Sequence, residues 1–518
     1  MRTPLVIATL ILIFTVPAVA AAGAVDARPL KVTDRTVSLR GAIARGIREH
    51  LSLQAAGLSV PIGRRTVTEN QAAFDPTLEA GVGAAGGREL TGSMLYEDEY
   101  RESRELGASA GIRKRFRTGL SAGLTLETAR RENNSTADAL DPQYQDVAVL
   151  QLSQPLLQGF GRTVNTAGVR IAEERVRVAG YDYLAQVQAV AAAVERAYYE
   201  LARAGAVLDY RIESRELARE LMMGNRKKLE RGVVSITEVE EARTAVAARD
   251  EEVIKARQAV EVASNRLKDL IEIRRGHPLY EEALSAAPIP DPERRFPDLG
   301  RALGVALTSR PDLKAMKAEA EALDIRLNVL KNGRLPRLDL VGTLSANGLS
   351  GDDRPVRLFG PPQTSGLSGD YGDAMTRMAE GDGYGWSVDL RLTYPLGNRA
   401  AEARHQRSRM EKQQLVHRIS RMEGAIETEV KNALVATRRS LERVRVAGEF
   451  ESLARSTLDH EMKRLRRGLS NTFRILRYQS DVVAAGIRKI TAVVDCHIGL
   501  AELYRAMGTN LERHGIEG

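Results

Sequence analysis

The stretch Trp386-Ser-Val-Asp-Leu-Arg-Leu-Thr-Tyr-Pro-Leu396 (WSVDLRLTYPL) alternates between two kinds of side chain. Every second residue from Trp386 to Tyr394 is aromatic or aliphatic, and the residues between them are polar or charged. Because successive side chains of a β-strand point to opposite faces, this pattern predicts a strand with one apolar and one polar face. Strands of a transmembrane barrel and strands that cover a soluble core share this alternation, so both remain open at this point.

The end of this stretch is repeated earlier in the chain. Gln151-Leu-Ser-Gln-Pro-Leu156 matches Arg391-Leu-Thr-Tyr-Pro-Leu396, and Arg231-Gly232 matches Arg467-Gly468. Two further matches, at an offset of 260 residues, pair residues 37–44 with 297–304 and residues 76–79 with 336–339. The order of these matches predicts an internal duplication in which helices, strands and long helices follow one another twice. The proline-rich segment 288–292 (PIPDP) is the expected linker between the halves.

Other segments have the same two-faced pattern. The apolar positions of three of them are Leu78, Ala80, Val82 and Ala84; Leu120, Ala122, Leu124 and Leu126; and Leu338, Leu340 and Leu344. The first segment includes Glu79–Gly87 (EAGVGAAGG), which contains GxGxxG, a spacing found in dinucleotide-binding loops. A polar loop follows it, whereas a dinucleotide site needs a helix there. We therefore interpret these glycines as small residues on the polar face of a strand and in a turn.

Long amphipathic helices make up the rest of the chain. From Ile236 to Leu270 small apolar residues recur at steps of three and four, interrupted only at Arg249. Residues 163–229 contain no proline, and as one helix they would be about 100 Å long at 1.5 Å per residue. Such a helix cannot fold around a globular core, so an extended bundle or tube is expected.

Composition and the N-terminus exclude several functions. The net charge of +8 is spread among 68 acidic residues, which argues against nucleic-acid binding. The single cysteine, Cys496, cannot form an internal disulfide, and we expect a small apolar role for it. No catalytic constellation or metal-ligand spacing is found, so we expect neither an enzyme nor a cofactor. Arg2, the apolar run 5–16 and Ala18-Val-Ala20 predict an export signal peptide.

Taken together, these parts resemble the TolC family of outer-membrane efflux ducts. The motifs that support this resemblance occur in the family's order along the chain: Gln154–Arg162 leaving a strand, Gly232–Val239 at a helix turn, Ser309–Leu313 opening the second half, and Pro336–Leu340 entering a strand. Each motif is short, and the resemblance covers essentially the whole mature chain.

The resemblance implies an α+β membrane protein with an internal duplication. Three chains would form a homotrimeric transmembrane β-barrel with four strands per chain, continuous with a long antiparallel coiled-coil α-barrel. The alternating segments Leu106–Ile112 and Leu120–Leu126 exceed this number. We interpret them, with Arg113–Arg117 between them, as an extended hairpin above the membrane, and residues 345–385 as a second surface loop.

The expected organisation divides the chain into ten segments. They are a signal peptide (1–22), an N-terminal extended segment (23–36), first-repeat helices (37–73), first-repeat strands with a loop or hairpin (74–154), first-repeat long periplasmic helices (155–280), a linker (281–296), second-repeat helices (297–334), second-repeat strands with a loop (335–395), second-repeat long periplasmic helices (396–510) and a C-terminal tail (511–518).

The resemblance also implies a function and partners. The chain would be a passive outer-membrane channel extending into the periplasm, in a tripartite efflux or type I secretion system. An inner-membrane RND or ABC pump would deliver the substrate, and a periplasmic adaptor would hold the tip near Gly232, Val233, Gly468 and Leu469. Opening would be an iris-like movement of the helices, with salt bridges between helices as the latch. Outer-membrane lipid is the remaining expected partner.

The expected pore constriction departs from the family. Well-known members have carboxylates six and nine residues after the second tip glycine, where this chain has Arg474 and Arg477. The equivalent positions after Gly232 are Glu238 and Glu241, which could pair with these arginines. Our hypothesis is that the narrowest ring is cationic or charge-neutralised and does not favour cations. The alternative is that the two arginines are ordinary exposed charges.

A structural periplasmic coiled-coil protein, such as a spacer or an adhesin stalk, is the rival interpretation. It would explain the helical heptads and the signal peptide. It does not explain why Trp386 and Tyr394 lie about one membrane thickness apart along a tilted strand, as membrane-interface aromatics do.

Overall fold

The structure is a computed structural model of the 518-residue chain. It describes residues 35–96, 99–293, 295–357 and 360–516. The predicted signal peptide and nearly all of the predicted segment 23–36 lie outside the described residues.

The first half consists of short helices, then strands, then long helices. Its elements are β1 (Thr36–Val37), α1 (Leu39–Glu49), α2 (Leu51–Gly57), α3 (Ser59–Gln71), β2 (Thr77–Leu90), β3 (Tyr100–Arg115), β4 (Ser121–Asn133), β5 (Leu140–Pro155), α4 (Arg162–Asn165), α5 (Ala167–Glu230) and α6 (Ile236–Leu270). A single 3-10 turn, Ala72–Phe74, connects α3 to β2. Ser38 and Ser235 begin α1 and α6, because their hydroxyls accept hydrogen bonds from backbone amides of the first turn.

The second half follows the same order after a linker. Its elements are β6 (Ser285–Ala286), α7 (Leu299–Ser309), α8 (Pro311–Asn332), β7 (Arg337–Asp353), α9 (Tyr371–Glu380), β8 (Gly383–Thr393), α10 (Arg399–Arg466), α11 (Thr472–Met507) and α12 (Asn510–Arg513). Asp298 and Asn471 cap α7 and α11. The short strands β1 and β6 pair in parallel, which attaches the start of the first half to the linker.

Four helical columns run along the molecule. At 1.5 Å per residue, the 64 residues of α5 and the 68 residues of α10 are each about 100 Å long. Helices α3 and α6 contact successive parts of α5, and α8 and α11 contact successive parts of α10. Helices α8 and α11 also contact α5, so they lie between the two long helices.

The apolar core lies about half-way along the long helices. One cluster contains Ile43, Leu53, Leu201 and Leu267, all buried. A second cluster, in the other half, contains alanines of α7 with Val430 of α10 and neighbouring residues of α11. Beside the first cluster the buried carboxylate of Glu195 accepts a hydrogen bond from Arg513 at 3.4 Å and lies 3.0 Å from Nε2 of His514. The C-terminal residues are therefore attached to α5.

The strands form one antiparallel sheet of six in the described part of the chain, in the order β2-β3-β4-β5-β7-β8. The expectation of four strands per chain is therefore wrong. Segments 106–112 and 120–126 are not a hairpin above the sheet, because β3 and β4 pair with each other and with β2 and β5 along most of their length. The second surface loop is also shorter than expected, because β7 continues to Asp353 and α9 forms before β8 begins.

Register explains why β3 and β4 belong to the sheet. Directly paired positions form one apolar row across all six strands: Leu78, Ile112, Leu124, Leu150, Leu344 and Trp386. The opposite face is polar and rich in small residues, including Gly83, Gly107 and Ser109. Moving β3 and β4 out of the sheet would interrupt both faces, so the alternation of all six strands favours one continuous sheet.

Helix α9 covers the far end of the apolar face. A Cβ added to Gly348 would lie only 1.9 Å from the carbonyl oxygen of Ala374, so the helix needs a glycine beneath it. The hydroxyl of Tyr371 hydrogen-bonds to the hydroxyl of Thr128. Asp146, paired with Gly348 in the sheet, is buried under the helix. Neither of its carboxylate oxygens has a hydrogen-bond partner within the described residues.

None of the helices in the described part of the chain combines the length and the apolar character needed to cross a membrane.

Candidate functional site

The two turns that connect the long helices have the same backbone geometry. Gly232 and Gly468 have φ values of +70° and +74°, which favour glycine. The amides of the following residues, Val233 and Leu469, donate to the carbonyls of Lys228 and Arg464. These six-residue closures are Schellman motifs, which end a helix without leaving its last carbonyl groups unpaired. We call the surface formed by both turns and the adjoining first turns of α6 and α11 the tip.

The tip exposes apolar side chains from both halves. They are Val233, Ile236, Leu469 and Phe473, each more than half exposed. Four exposed large apolar residues at the ends of the long helices form a surface that is suited to a partner protein.

Arg474 lies on α11 and points back to its own hairpin. Its Nη1 is 3.9 Å from Oε1 of Glu461 on α10, and its side chain remains more than half exposed. The hydroxyl of Ser470 donates to the same carboxylate oxygen at 2.7 Å. The expected pairing of Arg474 with Glu238 or Glu241 is therefore wrong within this chain, because Glu461 is the carboxylate that faces it.

Glu238 is also engaged inside the chain, in a small polar cluster. The side-chain amide of Asn225 on α5 donates to Oγ1 of Thr472 on α11 at 2.8 Å, and this hydroxyl donates to Oε2 of Glu238 on α6 at 2.7 Å. Asn225 and Thr472 are buried. The cluster connects three helices from both halves, so it holds the two tip hairpins together.

Arg477 and Glu241 differ from Arg474 and Glu238 in their contacts. Within the described residues, neither forms a salt bridge, and both line one groove between α5, α6 and α11. The groove has a volume of about 890 Å³ and also contains Phe473 and Arg249. Of the four residues predicted at the constriction, Arg477 and Glu241 thus remain without an ion partner in the described part of the chain.

Arg249 makes a second connection between the halves. Its Nη1 donates to the carbonyl of Ser214 on α5 at 3.0 Å and to Oε1 of Gln479 on α11 at 2.9 Å. Its Nη2 donates to the carbonyl of Leu476 at 3.3 Å. Burial lowers the pKa of this guanidinium from its ordinary value, because no carboxylate compensates for the lost water. The side chain therefore acts as a bridge of hydrogen bonds among three helices.

A third connection lies further from the tip. Tyr210 on α5 donates to Oε1 of Glu451 on α10 at 3.2 Å, and its ring fills the space beside Gly486 of α11. Burial opposes ionisation of Glu451, but hydrogen bonds from Lys489 and Arg455 outweigh this effect and lower the pKa of the carboxyl. We call the three connections, centred on Thr472, Arg249 and Glu451, the seam between the halves.

The sequence contained one signal for the seam. Arg249 is the single interruption of the apolar heptad stripe in α6, and a charged residue at such a position usually has a specific partner. Asn225 and Thr472 gave no such signal, because their importance depends on contacts between residues 247 positions apart.

The predicted membrane-interface aromatics lie on the edge strand β8. Trp386 belongs to the apolar row and is 73% exposed, and Tyr394 follows the last residue of the strand. Tyr384, which sequence reasoning missed, lies on the same apolar face two residues before Trp386 and is also exposed. The alternation continues from Trp386 back to Tyr384, and this was the signal that could have identified Tyr384.

Across the described residues, no group of three or more His, Cys, Asp or Glu side chains is arranged to hold a metal ion. The one free cysteine, Cys496, is buried, and burial raises the pKa of its thiol. His497, beside it, stacks on Tyr199 and its Nε2 lies 2.9 Å from the carbonyl of Pro290.

Comparison with known proteins identifies similar folds. The outer-membrane channel OprN aligns over 91% of this chain and 90% of its own with a TM-score of 0.62 and 16% identity. The CmeC outer-membrane channel of Campylobacter jejuni aligns over 91% and 86%, with a TM-score of 0.60 and 15% identity. The MtrE outer-membrane channel of Neisseria gonorrhoeae, in its open state, aligns over 91% and 89%, with a TM-score of 0.61 and 16% identity. No curated protein sequence matches the chain significantly.

These structural likenesses establish the fold, and the family is established by sequence. The sequence pattern of outer membrane efflux proteins matches residues 117–271 and 302–509, which is more than half of the chain and includes parts of both halves. The chain therefore belongs to the outer membrane efflux protein family, TolC-like transport proteins of the outer membrane.

Proposed function

We propose that this protein is a passive, homotrimeric export duct. In this proposal three sheets close into a transmembrane β-barrel, and the helical columns continue it as a tunnel through the periplasm. The observation that carries the proposal is a sheet with one exposed apolar face, joined to helices about 100 Å long; in the part of the chain that the structure describes, its two edge strands are unpaired on their outer sides.

The apolar face supports contact with lipid. Leu78 and Val82 on β2 and Leu392 on β8 are between 67% and 84% exposed in the single chain. Water disfavours such a continuous apolar surface, whereas the hydrocarbon core of a membrane accepts it.

The edges support closure of the sheet. Among the described residues of the single chain, β2 and β8 each have a neighbour on one side only, and nearly all their residues are exposed. A backbone group without a hydrogen bond costs several kcal/mol in hydrocarbon, so an open edge is excluded there. Because β2 and β8 run antiparallel to each other, β8 of one copy can pair with β2 of the next and close an antiparallel ring. The number of three copies follows from the resemblance to TolC.

The tip supports docking of a periplasmic adaptor. Val233 and Leu469 are exposed in two turns with the same geometry, and Ile236 and Phe473 extend this apolar surface. In our proposal the adaptor binds here and connects the duct to an inner-membrane RND or ABC pump. The pump supplies the energy, because the duct itself catalyses no reaction.

We further propose that Arg474, Arg477, Glu238 and Glu241 surround the narrowest part of the duct. Glu238 accepts a hydrogen bond and Arg474 faces a carboxylate within their own chain. Arg477 and Glu241 therefore remain for contacts between copies. A ring that contains both charges does not favour cations. Reversal potentials of single channels under a salt gradient test this proposal. We expect weak selectivity in the native channel and a shift toward cations in the double variant Arg474→Asp/Arg477→Asp; strong cation selectivity that the substitutions leave unchanged would contradict it.

Opening of the duct then requires movement at the seam. The hydrogen bonds of Thr472 and Arg249 join the first-half hairpin to the second-half hairpin, so iris-like opening has to break or rearrange them. This assigns the latch mainly to buried hydrogen bonds, together with the ion pairs around Glu451.

A structural coiled-coil spacer is the second candidate. It would share the helical body, but it would leave the apolar row of the sheet exposed to water. Membrane fractionation followed by electron microscopy of the purified protein separates the two. A duct stays with outer membranes until detergent is added and shows a three-fold tube with a short barrel. A spacer washes off and shows a rod without a barrel, which would refute our proposal.

A further inference from the structure

The sheet has two more strands than the TolC resemblance implies, and the excess lies entirely in the first half. Within the described ranges, strands β2, β3, β4 and β5 come from the first half, and β7 and β8 come from the second. Strands β3 and β4 have 16 and 13 residues, comparable to their neighbours, and they occupy interior positions in the sheet. They are therefore part of any wall that the sheet forms.

We infer that the outer-membrane part of this duct is an eighteen-stranded pore, wide enough for bulky hydrated cargo. The inference rests on the proposed trimeric duct, because three copies of a six-stranded sheet give eighteen strands. The diameter of a barrel grows roughly in proportion to its number of strands. With strands about 4.8 Å apart and tilted by about 40°, eighteen strands give a backbone-to-backbone diameter of about 36 Å, against about 24 Å for twelve.

The size of the helical part fits this wider ring. Each chain contributes four helical columns, so three chains give twelve. Helices that pack about 8–10 Å apart form a ring with a circumference of about 96–120 Å. Eighteen strands have a circumference of about 113 Å by the estimate above. The sheet and the helical tunnel can therefore join without a narrow neck between them.

The polar face of the added strands leaves the interior open. Six of its seven residues near the middle of β3 and β4 are small, and Glu127 is the seventh; the small ones are Gly107, Ser109, Gly111, Gly123, Thr125 and Ala129. A hollow of about 600 Å³ lies along this face. Long side chains beside it include Glu127, Glu105 and Arg131, and the last two face each other across the two strands and form a salt bridge at 3.2 Å. Side chains of this size line a wide pore and do not fill it.

The surface loop of the second half does not occupy this space. Helix α9 packs on the apolar face, because Gly348 and Thr128, which it contacts, have the same strand parity as the apolar row. Helix α9 therefore lies on the outside of the proposed wall. In this inference the helical tunnel and its tip determine the size of the cargo, and the β-barrel admits any cargo that passes them.

Adjacent residues of β3 provide a matched test. Ser109 lies on the polar face and Ala110 on the apolar face, and both are exposed. The only native cysteine, Cys496, is fully buried and gives little background labelling. In cells that express the full-length chain, Ser109→Cys should react with an external, membrane-impermeant thiol reagent, including a maleimide-linked polyethylene glycol about 20 Å across. Ala110→Cys should react at least ten-fold more slowly, because lipid covers it.

Electron microscopy of the detergent-purified trimer completes the test. A three-fold ring about 36 Å across, with selective labelling of Ser109→Cys, is the expected result. A three-fold tube with a ring near 24 Å, or equal labelling at both positions, would overturn the eighteen-stranded pore and leave the proposed duct intact. A particle without a barrel would overturn the proposed duct and this inference with it.

Discussion

The two halves of this chain have the same order of elements but differ at both ends of the molecule. At the sheet, the first half contributes four strands and the second contributes two with a helix-containing loop between them. At the tip, the first half places glutamates where the second places arginines. The parts that stay alike are the two glycine turns and the paired long helices. The two halves therefore share the helical framework, whereas their two ends differ in strand number and charge.

The largest effect is expected when the first half is made like the second. Deleting residues 91–133 removes β3 and β4 and leaves β2 beside β5, where Leu78 and Leu150 already belong to the same apolar row. We expect a trimer with a barrel about two-thirds as wide, measured by electron microscopy. Retention of the original diameter would show that β3 and β4 are not part of the wall. A shortened loop alone, with both strands kept, is the control.

The next effect concerns the seam that holds the halves together. Arg249→Ala removes three hydrogen bonds and leaves buried Gln479 without this donor. We expect the free energy of local opening to fall by about 2 kcal/mol, which is roughly a 30-fold faster hydrogen exchange in the first turns of α11. Channel conductance should rise if the seam is the latch.

Arg243→Ala is the matched control for this substitution. Arg243 lies on the same helix, but its side chain is 74% exposed and its nearest carboxylate, on Glu240, is 3.9 Å away. Exposed pairs of this kind contribute little, so exchange and conductance should not change. Equal effects of both substitutions would show that Arg249 does not hold the halves together.

A smaller effect is expected where the loop of the second half rests on a strand of the first. Asp146→Val replaces a buried carboxylate that has no partner in the described residues, so the docking of α9 should become stronger by about 1–3 kcal/mol. Hydrogen exchange of residues 371–380 should slow accordingly. Thr128→Val should act in the opposite direction, because Tyr371 loses its hydrogen-bond partner. Faster exchange in Asp146→Val would indicate that the carboxylate binds something that holds α9 in place.

The smallest effect concerns pH and the linker between the halves. Burial lowers the pKa of His497 below its ordinary value of 6.5, although the carbonyl of Pro290 favours the charged ring and so does Glu195 nearby; the guanidinium of Arg513 adds to the lowering. A lowered pKa means that the unfolded chain binds a proton first. The contribution of His497 to the free energy of unfolding is therefore fully present above about pH 6.5. It is lost as the pH falls through the folded-state pKa.

Thermal unfolding of the native protein and of His497→Gln at pH 7.5 and at pH 5.5 checks this expectation. The native protein should lose more thermal stability on acidification than the variant, because only the native protein has this buried imidazole. Identical losses would assign the pH dependence to other groups.

The sequence by itself determined the local features of this protein. Alternation from Trp386 to Tyr394 predicted a two-faced strand, the proline-free segment 163–229 contains nearly all of one long helix, and the glycines at 232 and 468 marked the turns. These features were readable because side-chain direction and backbone conformation depend on residues that are near each other in sequence.

Only the tertiary structure decided how these pieces combine. It placed β3 and β4 inside one six-stranded sheet, where alternation alone was compatible with a separate hairpin. It directed Arg474 to Glu461 and gave Arg249 its partners on two other helices, one of them 230 positions away in the chain. Strand neighbours and buried polar contacts depend on the packing of elements that are distant in sequence, and several arrangements satisfy the same local pattern.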